Sequence, residues 1–330
     1  MTANPANLEP IGPGTARELF LQHKEGDCSD STVRNYKYHL KSFVEWCHSQ
    51  EIDNLNDITG RDLQQFRLWR QNEFDISRMT VKNHMSSMRV FLKWAASIEA
   101  VPSELYDKVL IPRVPPEDRK RDEMLDHDAA KEIIEYLGQY HYASAEHVIM
   151  AILWETGIRS GGLRAIDTDD VLFDRQALRI LHRPEQGTPL KNGERGERLV
   201  AISDELRTII SDYLQDRRDE VSDDFGRDPL ITTTQGRMTL GTIRRAVYKV
   251  TSPCWRDNDC RDCAGVAEEK CPKAVCPHAV RRGSITYHLS EDVPEKVVSD
   301  RMNVSQKVLE EHYDERSEEV KLEQRRRYLE

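Results

Sequence analysis

Apolar residues recur at helical spacing through the first hundred residues of the chain. Two runs place their apolar residues three, four or seven apart: Val33, Tyr36, Leu40, Phe43, Val44 and Cys47, then Val81, Met85, Met88, Phe91, Leu92 and Ala95. Such spacing puts these side chains on one face of an α-helix. Ser31 and Thr32 can cap the first of these helices, Asp57 and Thr59 precede a second one, and Ser77 starts the third. The pattern predicts a helical bundle over residues 13–101, after a flexible tail at 1–12.

The polar faces of the same helices carry many cations, namely Arg34, Lys37, Lys41, Arg78, Lys82 and Arg89. Two interpretations stay open for them. They form either a solvated helix surface or a face that contacts phosphate groups.

Residues 102–124 interrupt the helical pattern. They contain four prolines and many charged residues, a composition that predicts an extended linker. Beyond it, residues 125–330 have a mixed pattern. The apolar run over 148–153 predicts a buried helix, and residues 177–182 and 198–202 have the composition of strands.

A polar loop joins the two predicted strands, and its Asn192–Gly193 pair suits a hairpin turn. Helical patterns return at 204–219 and 239–250, and again at 278–290, 294–302 and 305–313. With 330 residues, about two domains are expected. The predicted fold is mainly α with a small β-sheet: a helical domain followed by an α+β domain.

The charge balance argues weakly against DNA as a partner. The chain has 48 basic and 58 acidic residues and a net charge of -10, whereas duplex binding needs a basic face. Its 33 Arg and 15 Lys, beside the acidic excess, also suit a halophile, because high negative charge keeps proteins soluble in strong salt. In that case local basic patches decide what is bound.

The sequence gives no sign of a membrane segment. No window approaches the roughly 18 apolar residues of a spanning helix. The N-terminus has neither the basic start nor the apolar run of a signal peptide. We therefore expect a cytoplasmic protein.

Five of the seven cysteines fall between positions 254 and 276. In a cytoplasmic chain, such clustering indicates a metal site rather than disulfide bonds. Cys260 and Cys263 have the spacing of one edge of a tetrahedral zinc site, and Cys271 and Cys276 can supply the other edge, with Cys254 as an alternative ligand. Such a zinc would be structural. An iron–sulfur cluster, or a surface insertion with free thiols, stays open.

Four short segments carry residues suited to phosphodiester chemistry. In chain order they contain Arg159, Lys191, the pair His278 and Arg281, and Tyr313. Arginine forks bind non-bridging phosphate oxygens in bidentate fashion. A tyrosine, with a pKa near 10, needs neighbouring cations or a base to act as a nucleophile. His278 and Arg281 are three residues apart and would share one face of a helix.

The chain resembles the tyrosine recombinase (phage integrase, Xer-like) family. The segments that carry the resemblance are TGIRSGGLRAIDTDDV, PHAVRRGSITYHL and the tyrosine 35 residues after His278. The resemblance spans about residues 15–315. It implies a helical, SAM-like core-binding domain and a catalytic domain that together clamp duplex DNA. The implied function is site-specific DNA recombination, usually by four protomers in a tetrameric synapse, with no cofactor for catalysis.

The resemblance also implies a role for each site residue. Arg159 and Arg281 would be the clamp arginines, and His278 a hydrogen-bond donor or general base. Tyr313 would be the nucleophile that forms a 3′-phosphotyrosyl enzyme. Lys191 would protonate the leaving oxygen. Arg195 and Arg198 are nearby rivals for that last role, although arginine is a poor proton donor because it stays charged.

Two positions depart from the family pattern. Asn303–Val304 stands where the family often has Gly-His or Gly-Trp, and valine cannot donate a hydrogen bond to phosphate. Losing one such donor costs about 10²–10³ in rate. Gly162 stands where an acidic residue often supports the first arginine. Two alternatives therefore remain: a DNA-binding regulator with a vestigial site, and a type IB-like topoisomerase.

Overall fold

The computed structural model describes residues 8–73, 76–115, 123–257, 271–312, 316 and 318–326. The chain divides into two compact units, Met1–Arg121 and Asp122–Glu330. The division falls within the stretch expected to be a linker.

The first unit is built from four helices within its described residues: α1 (Pro13–Glu25), α2 (Asp30–Ser49), α3 (Gly60–Glu73) and α4 (Arg78–Ser97). Their apolar faces meet in an aromatic core, where Phe20 lies 5.4 Å from Phe91 and Phe43 lies 5.4 Å from Phe66 between ring centroids. Ser77 caps α4 as predicted, accepting a hydrogen bond from the Thr80 N–H. Helix α2 begins after Ser29, two residues before Ser31, the first of the two predicted caps.

Two stretches that we expected outside the bundle belong to it. The tail prediction was wrong for residues 8–12, because the Glu9 N–H bonds to the Glu99 carbonyl and the Ile11 carbonyl accepts from Leu55. The linker prediction was wrong for its first part. Leu105 and Val109 are buried in the core of the bundle, around a 3₁₀ turn at Leu105–Lys108. Burial of these apolar side chains outweighs the preference of the prolines for extended chain.

The second unit surrounds one buried helix. Its helices are α5 (His127–Tyr140), α6 (Ala145–Thr156), α7 (Ser160–Ala165), α8 (Asp204–Asp216), α9 (Leu240–Thr251), α10 (Pro253–Asp257), α11 (Pro277–Ser290), α12 (Glu295–Met302), α13 (Gln306–His312) and α14 (Glu318–Arg326). Helix α6 is apolar along most of its length and packs against α5, α8, α9 and α11. A smaller core joins α11, α12 and α13.

A three-stranded antiparallel sheet packs against the main core around α6, in the order β1 (Val171–Leu172), β2 (Ala177–Ile180) and β3 (Arg198–Ala201). Strands β2 and β3 confirm the predicted pair, with Ile180 opposite Arg198. A short hairpin, β4 (Thr232–Thr233) and β5 (Gly236–Arg237), was not predicted.

The connection from β2 to β3 differs from the expected tight turn. Residues 181–197 form a long loop, which we call the lysine loop because it carries Lys191. It contains a bridge between Arg183 and Thr188 and a 3₁₀ turn at Gly193–Gly196. Asn192 and Gly193 therefore do not form a two-residue turn between the strands.

A buried ion-pair network anchors the start of this loop. The Asp170 carboxylate is fully buried and accepts hydrogen bonds from Arg179 Nε at 2.9 Å and from Arg183 Nη1 at 2.8 Å. Burial raises the pKa of the Asp170 carboxyl, but hydrogen bonds from Arg183 and the Asp167 backbone outweigh it and lower the pKa. Arg183 is therefore a paired cation.

Within the described parts of the chain, no helix is long and apolar enough to cross a membrane.

Candidate active site

Helix α11 carries both His278 and Arg281, and its packing fixes Arg281, the second predicted clamp arginine. The helix begins after Cys276, with Pro277 in its first turn. Arg281 is 1% exposed, and its Nη1 donates a hydrogen bond to the Gly157 carbonyl. Gly157 ends α6 with a φ of +57°, and a Cβ there would lie 2.6 Å from Met302 Sδ. A glycine is thus strongly favoured at the point where α6 orients Arg281.

The first arginine of the site is also oriented by a backbone carbonyl. Arg159 precedes α7, and its Nη1 donates to the Asn303 carbonyl at 2.9 Å. Gly162, which stands where the family often has an acidic residue, is buried and donates its N–H to the Arg159 carbonyl at 2.8 Å. Backbone oxygens of Gly157 and Asn303 therefore take part in holding both predicted clamp arginines.

Cationic side chains surround His278. Burial first, and then the charges of Arg281, Arg282, Arg159 and Lys191, lower the pKa of the His278 imidazole to about 4. At neutral pH the imidazole is therefore uncharged. Three of the other four predicted catalytic residues, Arg159, Lys191 and Arg281, thus lie close enough for their charges to act on His278. A centre with this many cations is suited to bind an anion.

Two further arginines lie in this cluster. Burial, followed by the charges of Arg281, Arg159 and Arg301, lowers the pKa of Arg198 to about 10. Arg282 is 6% exposed, and its Nε and Nη1 have no hydrogen-bond partner in the described parts of the chain. Arg282 was not among the predicted site residues, although its place directly after Arg281 was a signal in the sequence.

Val304 takes no part in this cluster. It is 5% exposed and packs in the small core of α11, α12 and α13 with Ile285, Leu289, Val298, Met302 and Leu309. Asn303, the residue before it, has its side chain hydrogen-bonded to the lysine loop.

Tyr313 lies outside the described residues, directly after the end of α13 at His312. Its assignment as nucleophile stays a prediction.

The predicted metal ligands are described only in part. Cys271 is 5% exposed and packs with Ala274 against Tyr248 and Cys254. Cys276 caps α11 and lies 3.8 Å from the Glu123 carboxylate, measured from Sγ. Cys260 and Cys263 lie outside the described residues. Among those described, no three His, Cys, Asp or Glu side chains are placed to hold a metal ion.

Comparison with known proteins identifies the family. The phage integrase family model matches residues 123–318, and the model of the phage integrase N-terminal SAM-like domain matches residues 18–98. The chain therefore belongs to the phage integrase family. The predicted recombinase function and the predicted fold class, a helical core-binding domain followed by an integrase catalytic domain, are confirmed.

The relatives are distant tyrosine recombinases. Tyrosine recombinase XerC of Corynebacterium glutamicum is 22% identical over 79% of this chain and 73% of its own length. Tyrosine recombinase XerC of Shewanella oneidensis is 24% identical over 86% of this chain and 81% of its own length.

Solved structures share the fold at lower identity. A lambda integrase dimer bound to a COC′ core site matches with a TM-score of 0.66 and 13% identity, over 93% of this chain and 78% of that one. The Tn1549 transposon integrase in complex with transposon right end DNA matches with a TM-score of 0.65 and 14% identity, over 97% of this chain and 100% of that one.

Proposed function

We propose that this protein cuts and rejoins duplex DNA at specific sites through a 3′-phosphotyrosyl intermediate formed by Tyr313. The observation that carries the proposal is the convergence of Arg159, Lys191, Arg281 and Arg282 on His278. These cations belong to segments far apart in the sequence. Bringing these like charges together costs free energy, and an anionic phosphodiester bound between them would offset that cost.

The chemistry follows from the charges at this centre. The Tyr313 oxygen attacks phosphorus, a new P–O bond forms, and the bond to the 5′ oxygen breaks. Lys191 gives its proton to that leaving oxygen, while Arg159 and Arg281 bind the non-bridging oxygens and stabilise their developing charge. Neutral His278 accepts the phenol proton that Tyr313 loses and so acts as the general base of the step. The phosphotyrosyl bond conserves the energy of the diester, so a 5′-hydroxyl reverses the step without a cofactor.

The proposal extends to the assembly and the compartment. The lambda integrase structures contain a dimer on a core site and a tetramer on a Holliday junction. By analogy, we propose that this chain forms a homo-oligomer on DNA, a tetramer during strand exchange. Because its substrate would be cellular DNA, we place the protein in the cytoplasm, and its acidic, Arg-rich composition fits a halophilic source.

The test is a trapping assay for a covalent protein–DNA adduct. Nicked duplexes taken from the DNA flanking the gene would be incubated with the protein from low to molar salt. Wild type should form an adduct, whereas Tyr313→Phe should bind the same DNA and form none. Tyr142→Phe, which removes an exposed hydroxyl bonded to Asp212, is the matched control and should behave as wild type.

Each other outcome of this assay is informative. Adduct formation by Tyr313→Phe would remove this tyrosine as nucleophile. Binding without an adduct at any salt would favour a regulator. Adducts that relax supercoiled DNA without recombinant junctions would favour a topoisomerase.

We also propose a structural zinc held by Cys260, Cys263, Cys271 and Cys276, with Cys254 as the alternative. The support is that Cys254 and Cys271 pack in one small cluster, and that Cys276 starts the helix of His278. Purified protein should contain about one zinc per chain by elemental analysis, and Cys271→Ser should lower both zinc content and melting temperature. A folded, metal-free preparation would contradict the proposal.

A further inference from the structure

The side chain of Asn303 connects the end of α12 to the lysine loop. Its Oδ1 accepts a hydrogen bond from Asn192 Nδ2 at 2.5 Å, and its Nδ2 donates to the Arg195 carbonyl at 2.9 Å. Asn192 is the residue directly after Lys191. Both ends of one amide group are therefore used to hold the loop next to the proposed proton donor.

The backbone of Asn303 serves the other side of the site. Its carbonyl accepts from Arg159 Nη1 at 2.9 Å. Its φ of +49° places it in the left-handed region, which asparagine tolerates and glycine adopts freely. The backbone conformation thus favours asparagine or glycine, and the asparagine amide adds contacts that glycine cannot make.

Neighbouring contacts hold the loop on both sides of Lys191. The Leu190 N–H donates to His182 Nδ1 at 2.9 Å. Arg198 Nε donates to the Arg301 carbonyl at 2.8 Å, and its Nη1 donates to the Gly196 carbonyl at 2.8 Å. Lys191 itself is exposed, yet its charge reaches His278.

We propose that Asn303 is a positioning residue that holds the lysine loop so that Lys191 delivers its proton to the leaving 5′ oxygen. This inference rests on the proposed function, since Lys191 must be the proton donor. A lysine on an unbraced loop would spend much of its time away from the leaving oxygen. Small displacements of a catalytic group cost large factors in rate.

A substrate with sulfur in place of the bridging 5′ oxygen isolates this role. In the natural step the P–O5′ bond breaks and the oxygen takes a proton from Lys191. With sulfur the P–S bond breaks and the thiolate leaves without a proton, because a thiol has a pKa of about 8.5, against about 15.7 for water. Defects in proton delivery should therefore disappear on the sulfur substrate, and defects in folding, binding or phosphate clamping should remain.

The test compares Asn303→Gly with wild type on both substrates. Glycine keeps the backbone conformation and the carbonyl bonded to Arg159. We expect DNA binding and melting temperature close to wild type, and adduct formation on the oxygen substrate slower by at least about 10-fold, part of the roughly 10²–10⁴ that general acid catalysis supplies. On the sulfur substrate, the rate should return to within about twofold of wild type if proton delivery alone is impaired.

Three further variants sharpen the result. Asn192→Ala removes one of the two contacts of the Asn303 amide and should show the same pattern with an equal or smaller loss. The double variant should lose no more than Asn303→Gly alone, because Asn303→Gly already breaks both contacts. Lys191→Ala should show a larger loss that sulfur also rescues. Gln176→Gly is the matched control, because Gln176 is a left-handed residue with a side-chain hydrogen bond to Asp204, outside the lysine loop. It should leave both rates unchanged.

The outcomes separate this inference from the function it rests on. Wild-type rates on the oxygen substrate for both Asn303→Gly and Asn192→Ala would overturn the positioning role, as would equal losses on both substrates. If Lys191→Ala were not rescued by sulfur, both the lysine assignment and this inference would be wrong. If wild type formed no adduct with either substrate, the proposed function would fail first.

Discussion

Arg282 is a buried cation, and two of its three guanidinium nitrogens have no hydrogen-bond partner among the described residues. It is 6% exposed, its Nε and Nη1 lack hydrogen-bond partners within the described ranges, and its charge helps to lower the pKa of His278. Burying an uncompensated charge costs free energy. A phosphate group bound at the centre would supply both the opposite charge and the missing acceptors. We therefore expect this residue to serve binding at the expense of stability.

Replacing Arg282 with methionine should test whether this residue lowers stability while it strengthens phosphate binding. The substitution keeps an unbranched side chain and removes the charge, so the DNA-free protein should melt at the wild-type temperature or higher. Adduct formation should fall by about 10²-fold, the effect of losing one preorganised donor. Arg183→Met is the matched control. Because Arg183 is paired with buried Asp170, its loss should lower stability by up to about 3–5 kcal/mol, the upper end being reduced by the Arg179 pair that remains. A drop in melting temperature for Arg282→Met as large as that of the control would show that Arg282 is structural.

At the scale of elements, the sequence predicts what local periodicity determines. The helical spacing located α2 and α4, the strand composition located β2 and β3, and the three-residue step placed His278 and Arg281 on one helix. The lysine loop was mispredicted because its form depends on partners far along the chain, such as Asn303, which is 111 residues from Asn192. The Leu105 turn was mispredicted for a similar reason, since its burial depends on packing against the bundle.

The contact between α2 and α4 contains a histidine pair. His39 and His84 lie 4.3 Å apart between ring centroids, and His39 Nδ1 is 2.7 Å from Ser87 Oγ. His84 is 2% exposed, and neither ring nitrogen has a hydrogen-bond partner among the described residues. Burial, then His39 and Arg70, lower the pKa of His84 to about 3. The folded bundle therefore holds His84 neutral well below the pH at which the unfolded chain protonates it.

This depressed pKa predicts a loss of stability in acid. Above a pH of about 6.5 both states are neutral at His84, and below it only the unfolded state binds the proton. At pH 5 this one residue should lower the free energy of unfolding by about 2 kcal/mol. Urea unfolding of the full chain at pH 7 and pH 5 measures the change, and His84→Leu should show a smaller one. Equal changes in the two proteins would exclude His84 as the source.

Over the whole molecule, the net charge and the charge of the site have opposite signs. The chain carries -10, whereas cations converge on His278 and others lie exposed along α2, at Arg34 and Lys37. Exposed charges farther apart than the Debye length are screened, and this length is about 10 Å at 0.1 M salt and about 3 Å at 1 M. DNA binding should therefore depend on the cations that touch phosphate groups and little on the distant acidic surface.

The salt dependence of DNA affinity tests which cations touch phosphate groups. Each phosphate neutralised by a cation adds about -0.9 to the slope of log affinity against log salt concentration. If Arg34 and Lys37 contact phosphates, the double variant Arg34→Gln, Lys37→Gln should have a slope shallower by about 1.8. Lys131→Gln, which removes an exposed lysine of α5 from a 3.9 Å ion pair with Glu135, is the control and should leave the slope unchanged. An unchanged slope in the double variant would assign these α2 cations to the solvated surface, because a helix face that releases no counterions does not contact the backbone of DNA.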